Sequence, residues 1–223
     1  MSHTHLSRER EQLKMLVLEM MSKTTESVRH SLEAFSEMDT DKAQDVIDAD
    51  NDINELEVSV DEKCLRLLAL EGPVAGDLRF ILGCMRVSVD LERIGDEAAN
   101  IAQDTVVLSL KPGLDFYQRL TVMGYKALDM LKLAGRAFSR ENTDEAVQVC
   151  KMDNEVDELN SKMIKHVIGY MADHTPAIER AVRCINVARR IERIGDLATN
   201  IAENTVFISQ GVNIKHYCRF DNR

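Results

Sequence analysis

The sequence has no Trp, and aromatic residues make up only 4% of its 223 positions. It has 3 Pro and 10 Gly. So few aromatics and ring-constrained turns argue against a sheet-based fold, while the abundant Leu, Ala, Glu and Met favour helices. No apolar run reaches the ~18 residues that span a bilayer; Phe80 to Val89 comes nearest and carries Arg86. The N-terminal segment has no apolar stretch of the secretory kind. The 5 Cys (Cys64, Cys84, Cys150, Cys184, Cys218) are odd in number and widely spaced, which predicts free thiols in a reducing compartment rather than disulfides or a zinc site. Basic residues are also short: 28 Lys and Arg against 38 Asp and Glu give a net charge of −10. That excess argues against nucleic-acid binding, which needs clustered cations.

The apolar fraction of 44% is enough for a packed core. Breaks at Glu71-Gly72-Pro73, Lys111-Pro112-Gly113 and His174-Thr175-Pro176, with weaker ones near Met38-Asp39-Thr40-Asp41 and Glu141-Asn142-Thr143-Asp144, leave six long segments. Thr40 or Asp41, and Thr143 or Asp144, are the expected helix N-caps. Val87, Leu91, Ile94, Ala98, Ile101, Thr105 and Leu108 form one helical stripe, and Val187, Ile191, Ile194, Ala198, Ile201, Thr205 and Ile208 form another.

Those stripes expose a duplication. DLERIGDEAANIAQDTVVLS at 90–109 matches RIERIGDLATNIAENTVFIS at 190–209 in more than half its positions, and Asp50 to Leu56 resembles Asp153 to Leu159. The expected fold is all-α, with six long helices as two tandem three-helix bundles, residues 1–111 and 112–223.

Both copies carry Glu-Arg-Ile-Gly-Asp, at Glu92 to Asp96 and at Glu192 to Asp196. Carboxylates at i and i+4 share a helix face and repel, and a glycine inside a helix costs up to ~1 kcal/mol relative to Ala. Two penalties repeated in both halves imply a constraint, such as a carboxylate pair that approaches something closely. If the second and third helices of each half form a hairpin, a turn at Pro73 sets Asp50 opposite Asp96 and Asn54 opposite Glu92. A turn at His174 and Thr175 sets Asp153 opposite Asp196 and Asp157 opposite Glu192. Each half then presents four oxygen-bearing side chains, a set suited to Mg²⁺, Mn²⁺, Ca²⁺ or iron. Asn100 and Asn200, one turn further, are possible amide ligands. Glu57 and Asp61 are either a solvated face or a secondary ligand pair, since their counterparts are Asn160 and Ile164. The residues alone leave three functional classes open: a metal-binding regulator, a metal-dependent phosphohydrolase, and a metal-free helical scaffold.

The combination of Asp50-x-x-Ile-Asn54, Glu57, Asp61-Glu62-x-Cys64, Pro73-x-x-x-Asp77-Leu78-Arg79, Leu91 to Asp96, and the second copy from Glu192 to Asp196 with Asn200-Ile201 resembles the PhoU family over nearly the whole chain. The resemblance implies two similar three-helix bundles, frequent homodimers and no enzymatic activity. It implies metal clusters (iron, zinc, magnesium or manganese) on Asp50, Asn54, Glu92 and Asp96, and on Asp153, Asp157, Glu192 and Asp196. It implies a cytoplasmic protein, peripheral to the inner membrane at most. Such a protein links the phosphate ABC transporter to the phosphate-sensing histidine kinase and restrains uptake and starvation genes. Asn54 is an amide where the family motif is often acidic, so the second cluster is expected to bind more tightly.

Overall fold

The computed structural model describes the backbone of residues 2–212. It contains six α-helices and, among the described residues, no strand: α1 (Ser2–Glu37), α2 (Thr40–Leu70), α3 (Ala75–Ser109), α4 (Tyr117–Arg140), α5 (Thr143–Asp173) and α6 (Ile178–Gln210), with a 3-10 turn at Thr175–Ala177. Helices α1–α3 pack as one bundle and α4–α6 as the other, as the duplication requires. No described helix is long and apolar enough to cross a membrane.

The corners joining α1 to α2 and α4 to α5 are copies of each other. Met38 and Glu141 adopt left-handed backbone, at φ 52° and 51°. The next residue in each caps the following helix: Asp39 accepts from the Asp41 and Lys42 amides, and Asn142 from those of Asp144 and Glu145. The N-caps are therefore one residue earlier than Thr40 and Thr143. Extended backbone and a short side-chain oxygen make Asp39 and Asn142 suitable, and the left-handed residue before each supplies the reversal.

α3 and α6 are the central helices. They pack antiparallel, with Gly83 against Ile208, the Arg86 guanidinium 4.8 Å from the Phe207 ring, and Arg183 donating to Asp104 at 2.9 Å. Space at Gly83 is fully used: a methyl there would lie 2.3 Å from Ile208 Cγ1. Buried apolar side chains from Leu13 to Ile208 form one continuous cluster through both halves. The halves are thus fused through α3–α6 and α1–α4 rather than strung apart. The linker after α3 is tied down by Arg180, which donates to the Pro112 carbonyl.

Cys64, Cys84 and Cys184 are buried free thiols, and burial pushes the Cys64 and Cys184 thiols up to about 12. Cys150 is also buried, and Cys218 lies outside the described residues.

Candidate metal centres

The α2–α3 and α5–α6 hairpins turn where the prolines were expected, at 71–74 and 174–177. The register follows. Asp50 lies beside Gly95, whose added methyl would be 3.4 Å from Asp50 Oδ1; Asp153 lies beside Gly195, at 3.6 Å. Cys64 reaches the Ile81 carbonyl in the same register.

In the first half, α2 contributes Asp50 and Asn54 and α3 contributes Glu92 and Asp96. Asn54 donates to Asp50 Oδ2 at 3.5 Å. The Asp50 carboxyl is held above its ordinary range, first by burial and then by the charge of Asp96. Glu92 is raised by burial, then by Asp96 and Glu57. Glu57 is thus near enough for its charge to act on Glu92. Asp61, one turn further along α2, has a buried Oδ1 without a hydrogen-bond partner. This favours the ligand-pair reading of Glu57 and Asp61 over the solvated face.

In the second half, Asp153 is buried on α5 beside Gly195 of α6, Asp157 is exposed, and the charges of Asp157 and Asp196 act on Glu192. Glu192 is raised by burial and by Asp196 and Asp157, and is drawn back by a hydrogen bond from Asn160. Asn160 is the residue that the sequence reading passed over. It occupies the place of Glu57, is buried, and keeps an unpartnered Oδ1. An oxygen-bearing side chain at the duplicate of a carboxylate was the available signal. Asn200 lines a cleft between α3 and α6 that Asp61 and Asp196 also border, and Asn100 lines the equivalent cleft across the crossing.

Among the described residues no group of three or more His, Cys, Asp or Glu side chains is placed to hold a metal ion as it stands. The carboxylates are gathered but not drawn together, as uncompensated like charges demand. Their chemistry nevertheless fits a hard cation. Asp50 Oδ1, Asn54 Oδ1, Asp61 Oδ1 and Asn160 Oδ1 are all buried acceptors without donors. A buried oxygen left unpaired costs about 1–3 kcal/mol, and a cation satisfies several at once.

The two motif glycines differ. A methyl at Gly95 would meet Ile53 Cδ1 at 3.0 Å, whereas one at Gly195 makes only ordinary contacts with Asp153 and Met130. Gly195→Ala is expected to stabilise the protein by about 0.5–1 kcal/mol through helix propensity. Gly95→Ala must displace buried Ile53 and is expected to destabilise it by about 1 kcal/mol. Urea unfolding of the two variants, read for opposite signs, checks this.

The family model described as "PhoU domain" matches the chain twice, over residues 17–105 and 120–205. The phosphate-specific transport system accessory protein PhoU homolog of Aquifex aeolicus is 35% identical over 211 residues, covering 95% of this chain and 96% of that protein. The phosphate-specific transport system accessory protein PhoU of Escherichia coli is 30% identical, covering 93% and 86%. The crystal structure of PhoU from Pseudomonas aeruginosa superposes with a TM-score of 0.90 at 33% identity, covering 92% of this chain and 99% of that one. That of the phosphate transport system regulatory protein PhoU from Streptococcus pneumoniae gives 0.86 at 28%, covering 93% and 98%.

Proposed function

Since the chain belongs to the PhoU family, we propose that it is a non-enzymatic accessory regulator of a phosphate-specific transport system. The observation that carries this reading is similarity along nearly the full length of both this chain and its named accessory-protein relatives. In this reading the protein works in the cytoplasm as a homodimer. It contacts the phosphate ABC transporter and the phosphate-sensing histidine kinase, and holds uptake and starvation genes down when phosphate is plentiful.

The metal centres belong to the same proposal. Asp50, Asn54, Glu92 and Asp96, joined by Glu57 and Asp61, are the oxygen donors of the first. Asp153, Asp157, Glu192 and Asp196, joined by Asn160, are those of the second. A bound cation supplies positive charge that offsets carboxylate repulsion and ties each helix hairpin together. This chain's residues do the positioning: the hairpin turns set the register and the buried Asn160 orients Glu192.

Deleting the gene and measuring a phosphate-starvation reporter in phosphate-rich medium tests the regulatory role. High reporter output, restored to low by the wild-type gene, is the expected result. Output that stays low in the deletion strain contradicts it.

A further inference from the structure

α3 and α6 are copies at a shift of 100 and cross antiparallel, so two equivalent clefts flank their crossing. The duplication has made them unlike. The first, of about 530 Å³, includes Arg86, Asp90, Arg93, Asp196 and Glu203. The second, of about 390 Å³, is lined by Glu97, Asn100, Asn186, Arg189, Arg190 and Arg193. Asp90 in one copy is Arg190 in the other, Val89 is Arg189, and Gly83 is Arg183.

The second cleft holds more cation than its own carboxylates consume. Glu97 faces Arg193 Nε at 3.2 Å and Arg190 at 3.8 Å; Asp104 faces Arg183 at 2.9 Å and Arg190 Nε at 3.3 Å. That sets four guanidiniums against two buried carboxylates, on a chain whose net charge is −10. Holding α3 to α6 accounts for Arg183, Arg190 and the Nε of Arg193. Arg189 is exposed on the cleft wall and forms no salt bridge among the described residues, although its charge reaches Glu192, and Arg193 is more than half exposed beyond its contact with Glu97. Planar guanidinium forks bind tetrahedral oxyanions through paired, charge-assisted N–H bonds, and the amides of Asn100 and Asn186 add neutral donors.

We propose that this cleft binds a phosphate-type dianion, clamped by Arg189, Arg190 and Arg193. The site rests on the regulatory reading only for its biological meaning: a bound oxyanion would report phosphate supply to the complex.

The test is equilibrium dialysis of the full chain with labelled orthophosphate, in chelator so that no metal captures the anion. The expected result is one saturable site per chain. Arg189→Gln with Arg193→Gln is expected to weaken it by about tenfold or more, and Arg86→Gln in the equivalent cleft to leave it unchanged. Arg190 is left intact because it also holds α3 to α6, and melting curves confirm that the variants fold. Competition by ATP stronger than by orthophosphate supports the same site with a nucleotide phosphoryl group as ligand. No saturable binding, equal competition by sulfate, or an equal loss in Arg86→Gln overturns the proposal. Such a failure leaves the reporter result for the deletion strain untouched, so the two readings fall separately.

Discussion

Metal-stripped protein titrated with Mn²⁺ or Mg²⁺ is expected to gain about 2.7 kcal/mol for each cluster when the free ion stands at 100 times its dissociation constant. For a chain of this size that gain corresponds to roughly 5–11 °C in melting temperature per cluster. The source is the set of unpaired buried oxygens around Asp50, Asn54, Asp61 and Asn160, together with carboxyl groups whose charged form burial and repulsion disfavour. Asp153→Ala with Glu192→Ala is expected to remove the second-cluster share of the shift, and of the metal content by elemental analysis. Equal metal in wild type and double variant contradicts the assignment. Asn54→Asp gives the first cluster one more charged ligand and is expected to tighten it.

The pH dependence follows from the same shifts. Asp50, Glu92 and Glu192 lie above the ordinary carboxylate range of about 4 in the metal-free protein, mainly through burial. A carboxyl raised in the folded state holds its proton more tightly there than when unfolded. Its stabilising contribution is complete below the unfolded value and is lost as pH rises through the folded one. Metal acts oppositely, because protons compete for its ligands. The gap between metal-loaded and metal-free melting temperatures is therefore expected to narrow as pH falls from about 7 to about 5. A gap that widens on acidification argues against carboxylate ligation.

Much of this was legible because a helical hairpin obeys simple arithmetic. Two prolines and two acidic motifs fix one register, and Asp50 beside Gly95 and Asp153 beside Gly195 obey it. The glycines were legible as a constraint but not as two different ones, since the contrast lies in Ile53 against Met130 across the groove. The caps were misplaced by one residue because left-handed Met38 and Glu141 carry no glycine to announce them. Packing between the halves had no local sign at all. The ion pairs of Asp104 and Glu97 with Arg183, Arg190 and Arg193 join residues some 80 to 100 positions apart. Sequence reading drew two bundles in tandem, and the antiparallel crossing of α3 and α6 merges their interiors into one core.

Phe35→Ala is expected to be the most damaging single truncation in that shared core, at about 3–5 kcal/mol, or roughly 6–20 °C in melting temperature. Four of the ten Phe and Tyr residues form one chain. Phe35 of α1 is fully buried with its ring 5.5 Å from Tyr117 of α4. Phe116 follows at 6.3 Å from Tyr117 and lies 5.5 Å from Tyr170, which stacks on His174 at 4.0 Å. Phe35 is thus the first-half member of an aromatic chain otherwise built from Phe116, Tyr117 at the start of α4, Tyr170 of α5 and His174 just beyond it. Removing its ring opens a cavity at the joint between the halves. Phe35→Leu, which refills most of the volume, is expected to lose less than half as much. Tyr117→Phe is the matched control: its hydroxyl is buried without a partner, and that burial pushes its pKa up to about 12. Losing that hydroxyl is expected to cost nothing or to stabilise slightly. Because one core runs through both halves, calorimetry of Phe35→Ala is expected to show a single transition moved down as a unit. Two resolved transitions, with the second-half one unmoved, would instead make residues 1–111 and 112–223 independent folding units.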